Sequence, residues 1–519
     1  MTASPLDDPQ VLVAGAGPTG LVLALLLARL DVRVRIVDPV AEPGTTSRAL
    51  AVQARTLEFY QQLGIANLVA ERGRAFNAIN LWVEGRKAAH LTIGALGAGL
   101  SPFPSPTIFP QDEHERLLIE CLSAAGVEVE RGTSVASFTH AGTTMRVQLA
   151  RKDGTTESCE VMFVAGCDGA HSRIRQGIGA TFLGGTYAHL FYVADVEASG
   201  PVADGELHVA LDDADFLAVF PMKGEGRVRL VGAVRPEAST NQSLTWADVG
   251  QGAMTRLGLA VSRVNWFSTY HVHHRVANHF QRGQVFLLGD AAHVHSPVGG
   301  QGMNTGIGDA MNLAWKLAAC IHGHADIRIL ATYEPERIAF ARQLVQTTDR
   351  AFTFVTDNSR LARWVRLRLV PRILPAFFSL TPARRLMFRT VSQIGIQYRS
   401  SRLSAGQAGH VHGGDRLPWV PPENDGPGAA SNFAPLSSLA WQVHVYGDAT
   451  PGLTAACDAR GLPLHTFPWR PAMRTAGLQR GAAYLIRPDG YVALADSEAS
   501  PATLHHFLDD QGLQPAAKG

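Results

Sequence analysis

The sequence predicts an α/β protein in which a nucleotide-binding βαβ domain is interrupted by a mostly antiparallel sheet. Three observations predict this. A strand–helix–strand unit opens the chain with Gly15-x-Gly17-x-x-Gly20 at its first turn. Two later glycine-rich segments, Ala165–Arg175 and Gly289–Asn304, each follow an apolar strand in the same way. Between those two, residues 187–270 alternate apolar and polar side chains, the period of half-buried strands.

In chain order, "VLVAG" ending at Gly15 is a short apolar strand, Leu21–Leu30 an apolar helix, and Arg33–Asp38 a second strand. Gly15 permits a tight turn, Gly17 lets a pyrophosphate approach the backbone, and Gly20 lets helix and strand pack closely. The helix N-terminus, beginning at Pro18 and Thr19, offers free N–H groups to phosphate. Asp38, 18 residues after Gly20, is placed to accept hydrogen bonds from a ribose diol. The unit is Rossmann-like. Residues 127–164 read as hairpins punctuated by Gly and Asp-Gly, and "QVFLLGD" at 284–290 returns to a buried strand. A helix follows Asn304. Residues 330–400 read as basic helices, and their charges as a solvated face rather than a membrane or nucleic-acid surface. A Gly/Pro-rich linker at 409–425 leads to a small C-terminal α/β domain.

Composition narrows the function. A chain of 519 residues requires several domains, and a formal net charge of +1 gives no sign of a nucleic-acid partner. Five scattered cysteines without a Cys-x-x-Cys pair predict neither a disulfide framework nor a thiolate metal site. The polar start "MTASPLDDPQ" lacks a basic n-region, and Leu21–Leu30 is shorter than the ~20 residues of a membrane span. A cytoplasmic protein with no membrane partner is expected.

Three ligand-type turns with only one Gly-x-Gly-x-x-Gly point to one extended ligand that touches three strand ends, which FAD satisfies. "GAGPTGL", "CDGAHSRIR" and "GDAAHVHSPVGGQGMNTGIGDAMNLAWKL" resemble, in order and spacing, the fingerprints of the single-component FAD-dependent aromatic hydroxylases, the p-hydroxybenzoate hydroxylase and phenol hydroxylase type. The resemblance spans roughly residues 10–350. It implies FAD contacts at Gly15, Gly17, Pro18, Thr19, Gly20, Asp38, Asp168, Gly169, Gly289, Asp290, Pro297, Gly300, Gly302, Met303 and Asn304. "TTSRAL" and "FPQDEHERLL" add Arg48 and Gln111, and Arg48 and Pro297 are expected next to the reacting edge of the flavin. Asp168 alone also reads as a turn residue, and Gln111 as an ordinary helix-start residue. The loop histidines His293 and His295 have the spacing of metal ligands, with His271, His273 or His274 as a third. The fingerprint accounts for the loop without a metal, and none is expected.

The resemblance implies this domain division: FAD-binding residues 1–180, with some strands of the inserted sheet; a substrate-binding sheet, 181–275; the rest of the FAD-binding domain with connecting helices, 276–405; and a thioredoxin-like domain, 406–519. It implies that NADPH or NADH reduces FAD and that a flavin C4a-hydroperoxide passes one atom of O2 to a small aromatic substrate, phenolic or polyketide-like. Phe191, Phe216, Phe220, Pro221 and Tyr270 are the candidate substrate residues, with ordinary core packing as the alternative for each. A monomer or homodimer is expected. The other readings open at this point are a Baeyer–Villiger or epoxidising enzyme on the same scaffold and, from another class, a non-catalytic FAD-binding redox sensor.

Overall fold

The computed structural model describes residues 8–44, 49–92, 96–211, 216–234, 244–249, 251–296, 298–356, 359–423 and 430–515. Along the chain, β1 (Val11–Ala14), α1 (Pro18–Arg29) and β2 (Val34–Asp38) form the opening βαβ unit. Helices α2 (Ala54–Gln62) and α3 (Gln111–Ala124) follow, and then β3 (Phe163–Gly166). Four strands next build most of an inserted sheet: β4 (Phe182–Ser199), β5 (Phe216–Pro221), β6 (Arg227–Ala233) and β7 (Ala260–Ala277). The chain returns through β8 (Val285–Leu287) and β9 (His293–Val294) to the long helix α4 (Gly302–Ile321).

The central sheet runs Gln281–Arg282, β8, β3, β1, β2, Val129–Arg131. All pairs are parallel except the one made by Gln281–Arg282. β1 and β3 are wholly apolar and buried, packed between α1 and the small antiparallel sheet of residues 133–161, while β2 carries Arg35 and Asp38 and buries only Ile36 and Val37. α1 is apolar all round and packs against α4, buried from Asn304 to Ala318. β1 leads through α1 to β2 on one side and has β3 on the other, so strand order reverses here. A crevice opens at such a point, beyond the carboxyl ends of the strands.

The inserted sheet has eight strands in the order β9, β7, β4, β6, β5, Leu207–Leu211, Ala78–Val83, Arg86–Thr92. One pair is parallel, Leu207–Leu211 with Ala78–Val83, and the rest are antiparallel. Alternation divides its faces. Tyr192, Ala194, Val196, Leu217, Val219 and Leu230 pack behind it with Met254 and Leu257. Phe191, Val193 and Asp195 belong to the opposite, front face.

Helices α5 (Tyr333–Thr356), α6 (Val370–Ser379) and α7 (Thr381–Val391) follow α4. The basic run in this region was expected to be a solvated helix face, and Arg360, Arg368 and Arg372 are exposed, but not alone. Leu361, Trp364, Leu369, Ile373, Phe377 and Leu380 stand exposed among the arginines. α6 lies against the edge strand Arg86–Thr92 and against α7, with Ile373 and Phe377 exposed.

The C-terminal unit is β10 (Gln442–Tyr446), α8 (Pro451–Ala459), β11 (Leu464–Phe467), β12 (Ala483–Ile486), β13 (Val492–Asp496) and α9 (Pro501–Asp510). A βαβ unit followed by a hairpin and a helix, with β12 antiparallel to both neighbours, is the arrangement of a thioredoxin-like fold. Cys457 is buried in α8, and burial pushes its thiol up to about 11, so it stays protonated at neutral pH. Buried ion pairs and a hydrogen bond join this unit and the segment that leads into it to the rest. Arg416 forks onto Glu58 of α2, Arg487 donates to Glu336 of α5 at 2.9 and 3.0 Å, and Trp315 of α4 donates to Asp489 at 3.1 Å.

Candidate functional site

The crevice between β1 and β3 is built from glycine. Gly15 has φ +105°, and a Cβ there would lie 2.2 Å from the Cys167 carbonyl oxygen, so the first turn and the turn after β3 touch backbone to backbone. A Cβ on Gly20 would lie 1.9 Å from the Gly15 oxygen, which fixes how closely α1 approaches. Gly17 is different: nothing lies within 4 Å of its missing side chain. Asp38 accepts from the Ala16 N–H at 2.7 Å and from the Val40 N–H at 2.8 Å, holding the glycine turn over the end of β2. Thr19 is wedged between α1 and the Gly289–Gly306 region; a Cβ on Gly306 would lie 2.2 Å from its Oγ1.

Asp168 caps the short helix Arg173–Gly177, its Oδ2 accepting from the Arg173 and Ile174 N–H groups at 2.7 and 3.1 Å. Its Oδ1 is buried without a protein partner among the described residues. Gly169 beside it, at φ +77°, also faces open space. Gln111 starts α3 by pairing reciprocally with Ala49: its N–H donates to the Ala49 carbonyl and its Oε1 accepts the Ala49 N–H, both at 3.2 Å. Its Nε2 donates to Glu115 at 2.8 Å. Burial raises Glu115 above the usual carboxylate range, with the nearby charge of Asp38 adding to the effect.

The loop from Gly289 to Asn304 is pinned from both sides. Asp309 of α4 accepts from the Gly289 N–H at 2.9 Å and pairs with His293 Nε2 at 2.7 Å. β9 hydrogen-bonds to β7 at Arg275 and Val276, so the loop is continuous with the inserted sheet. His295 Nδ1 pairs with the Ser296 carbonyl, and burial lowers the ring's pKa to about 4. His293 is thus held through Nε2 and His295 through Nδ1, the buried Nε2 of His295 having no partner among the described residues, while His273 pairs with Thr186. Gly299 and Gly300 are successive left-handed residues, at φ +78° and +61°, and a Cβ on Gly300 would press on Ala51 at 3.0 Å. The Asn304 side chain is fully used: Oδ1 accepts from the Gln53 N–H and the Thr56 hydroxyl, and Nδ2 donates to the Ala51 and Gly300 carbonyls. Met303 turns inward, its sulfur 3.3 Å from His114 Nδ1. Gly302 stands at the N-terminus of α4, and Asp290 is exposed at the mouth of the loop.

The front of the inserted sheet gathers three of the five aromatic-wall candidates. Phe191 is paired with Tyr270 across β4 and β7, and Phe216 packs into the same cluster with Val272. Phe220 shares their face but packs with Leu50, Ala54 and Phe388. Pro221 falls one residue on, so the period of two turns it to the rear with Leu217 and Val219. Arg48 and Pro297 lie outside the described residues.

Sequence reading missed the strongest polar feature of this face. Arg229 of β6 is fully buried, forks onto Asp195 of β4 at 2.5 and 2.6 Å, and donates to the Ala49 carbonyl at 3.4 Å. It ties the sheet to the segment that Gln111 holds. The signal was faint: one arginine inside the apolar strand "RVRLVGAV", at an inward position.

These features fit a phosphate-bearing dinucleotide with hydroxyl groups. Space is open at Gly17 and Gly169, one buried carboxylate oxygen lacks a donor, and the N-termini of α1 and α4 carry no side-chain cap and no acidic first-turn residue.

Comparison with known proteins points the same way. The FAD binding domain family matches residues 8–348. 6-Methylpretetramide 4-monooxygenase of Streptomyces rimosus is 32% identical, with 98% of this chain and 94% of the relative covered. Pentachlorophenol 4-monooxygenase of Sphingobium chlorophenolicum is also 32% identical, over 68% of this chain and 66% of the relative. Among solved structures, anhydrotetracycline hydroxylase from Streptomyces rimosus superposes with a TM-score of 0.78 at 26% identity, covering 98% of this chain and 99% of that one.

Proposed function

The chain belongs to the FAD-binding family of aromatic-compound monooxygenases, and from that membership we propose that it hydroxylates a fused-ring phenolic substrate of the aromatic polyketide kind. It is an FAD-dependent enzyme, with NAD(P)H as the reductant typical of the family. The observation that carries the substrate class is the front face of the inserted sheet. There Phe191, Phe216 and Tyr270 form one aromatic wall joined through β9 to the Gly289–Asn304 loop. The near full-length match to a monooxygenase named for a pretetramide supports the same class.

FAD, when bound, supplies the redox and oxygen-transfer chemistry. The chain's own residues bind, orient and exclude water. Gly15, Gly17 and Gly20 with the N-terminus of α1 take the pyrophosphate, and Asp38 stands at the ribose. Asp168 Oδ1 accepts from a ligand hydroxyl, and Asp290 serves the ribityl chain. Gly289 and Gly300 keep the loop close to Thr19 and Ala51, where side chains would not fit, and the α4 N-terminus at Gly302 would favour negative charge on a bound flavin. Gln111 acts indirectly by fixing Ala49, and through it the segment bearing Arg48. Pro297 would stiffen the loop at the reacting edge. The aromatic wall packs substrate rings and excludes water.

The test is NAD(P)H oxidation by purified holoenzyme against a panel running from simple phenols to fused-ring phenols, with product mass measured under isotopically labelled O2. Fused-ring phenols should accelerate oxidation and gain one labelled oxygen. Acceleration by simple phenols alone overturns the substrate class; acceleration without labelled product overturns hydroxylation.

A further inference from the structure

We propose that the helical segment from Arg360 to Leu380 is a docking surface for anionic phospholipid, which seats the enzyme on a membrane face without crossing it. The proposal is independent of the flavin and substrate readings.

The first observation is a continuous apolar stripe. Leu361, Trp364, Leu369, Ile373, Phe377 and Leu380 are all exposed, Leu361 at 72% and Trp364 at 56%. Steps of three and four residues place neighbours one α-helical turn apart. The single five-residue step, Trp364 to Leu369, spans the π-helical turn Val365–Leu369. A π turn takes up about one extra residue, so it keeps the stripe on one side instead of letting it spiral away. Soluble surfaces scatter exposed apolar residues singly; an aligned row of six is a binding surface.

The second observation is charge. Between Arg360 and Leu380 the sequence carries five arginines and no Asp, Glu or Lys. The whole chain has a formal net charge of +1, so the remainder is net acidic. An anionic plane therefore attracts this face and repels the rest, which fixes orientation as well as affinity. Arg360, Arg368 and Arg372 are exposed alongside the stripe. Aromatic and aliphatic groups beside arginines are the composition of a helix lying at the headgroup level. Among the described residues no helix is long and apolar enough to cross a bilayer, so the segment lies on the surface. It is anchored at the edge strand Arg86–Thr92, while Ile373, Phe377 and Leu380 remain exposed.

The test is co-sedimentation of full-length holoenzyme with vesicles of phosphatidylcholine alone and of phosphatidylcholine mixed with phosphatidylglycerol. Binding should appear on the mixed vesicles, exceed binding to the neutral ones roughly tenfold or more, and weaken with salt. Arg368→Glu with Arg372→Glu should abolish it, and Trp364→Glu with Phe377→Glu should too. Bound flavin and melting temperature report folding; Trp364→Ser replaces the glutamate pair if that variant does not fold. Absence of binding to the mixed vesicles, equal binding to neutral ones, or binding that survives both double substitutions overturns the proposal. So does a concentration-dependent dimer that Phe377→Glu dissociates, which would assign the stripe to a second copy of the chain.

Discussion

His293 Nε2 lies 2.7 Å from Asp309 Oδ2, and both side chains are buried. The same carboxylate oxygen accepts the Gly289 N–H, and its partner Oδ1 accepts from Arg337 at 2.6 Å. One acid on α4 therefore holds the start of the glycine-rich loop, its first histidine and an arginine of α5. Burial alone would raise the Asp309 pKa; Arg337 and His293 outweigh it and hold the group below its ordinary value.

Asp309→Ala should consequently be among the most damaging single changes in the chain. It leaves Arg337 buried and short of its carboxylate, a change of the kind that costs ~3–5 kcal/mol. Asp309→Asn, which keeps an acceptor, should cost less. Chemical denaturation of the two variants would show the order, and an alanine variant as stable as the parent would remove Asp309 from this role.

Gly17 and Gly20 should fail differently. A Cβ at Gly17 enters open space, so Gly17→Val should fold with near-parental stability yet purify with little bound flavin. Gly20→Val drives side-chain atoms into the Gly15 carbonyl and should lower stability itself. Flavin absorbance and melting temperature on the same preparations separate the two. Full flavin occupancy in Gly17→Val would displace the pyrophosphate from that turn.

Tyr270→Ala should raise KM for a fused-ring phenol by roughly tenfold, the loss of one good aromatic contact, and Phe191→Ala by less, because Phe191 is 3% exposed and acts by backing Tyr270, with flavin content unchanged in both. Their combined effect should fall short of the sum because the two rings form one cluster. Unchanged KM in both would move the substrate off this wall.

His295 sets a pH dependence. Burial lowers its pKa to about 4 from an ordinary value near 6.5. Between those values the unfolded chain takes up a proton that the folded chain does not. Stability should thus fall as pH drops from about 6.5 towards 4, by up to ~1.4 kcal/mol per pH unit for this group. His295→Phe should flatten that slope by one proton; an unaltered slope would show that His295 titrates normally in the fold.

What the sequence disclosed follows from range. Gly15, Gly17, Gly20 and Asp38 are legible because the βαβ unit is local, and its turn has strict steric needs that only glycine meets. Phe191, Phe216 and Tyr270 could be selected by alternation alone, but alternation does not say which strands pair, so Phe220 and Pro221 were selected with them and pack elsewhere. Arg229 and Asp195 sit 34 residues apart on adjacent strands, and no local pattern announces that they meet. The strands Ala78–Val83 and Arg86–Thr92 complete the inserted sheet from far upstream for the same reason. The arginines of residues 360–399 were visible at once. The apolar stripe between them was hidden, because its alignment depends on a π turn that sequence periodicity does not reveal.

The ion pairs between the C-terminal unit and the rest bear on how the chain is made. Glu58 emerges from the ribosome 358 residues before Arg416, the guanidinium that forks onto it. Until that arginine arrives, α2 carries a carboxylate destined for an apolar setting without its full complement of charge. Glu336 likewise awaits Arg487, 151 residues later. The buried carboxylates of α2 and α5 are then fully paired only when the last part of the polypeptide has been synthesised and docked, so the two ends of the chain settle their charges together.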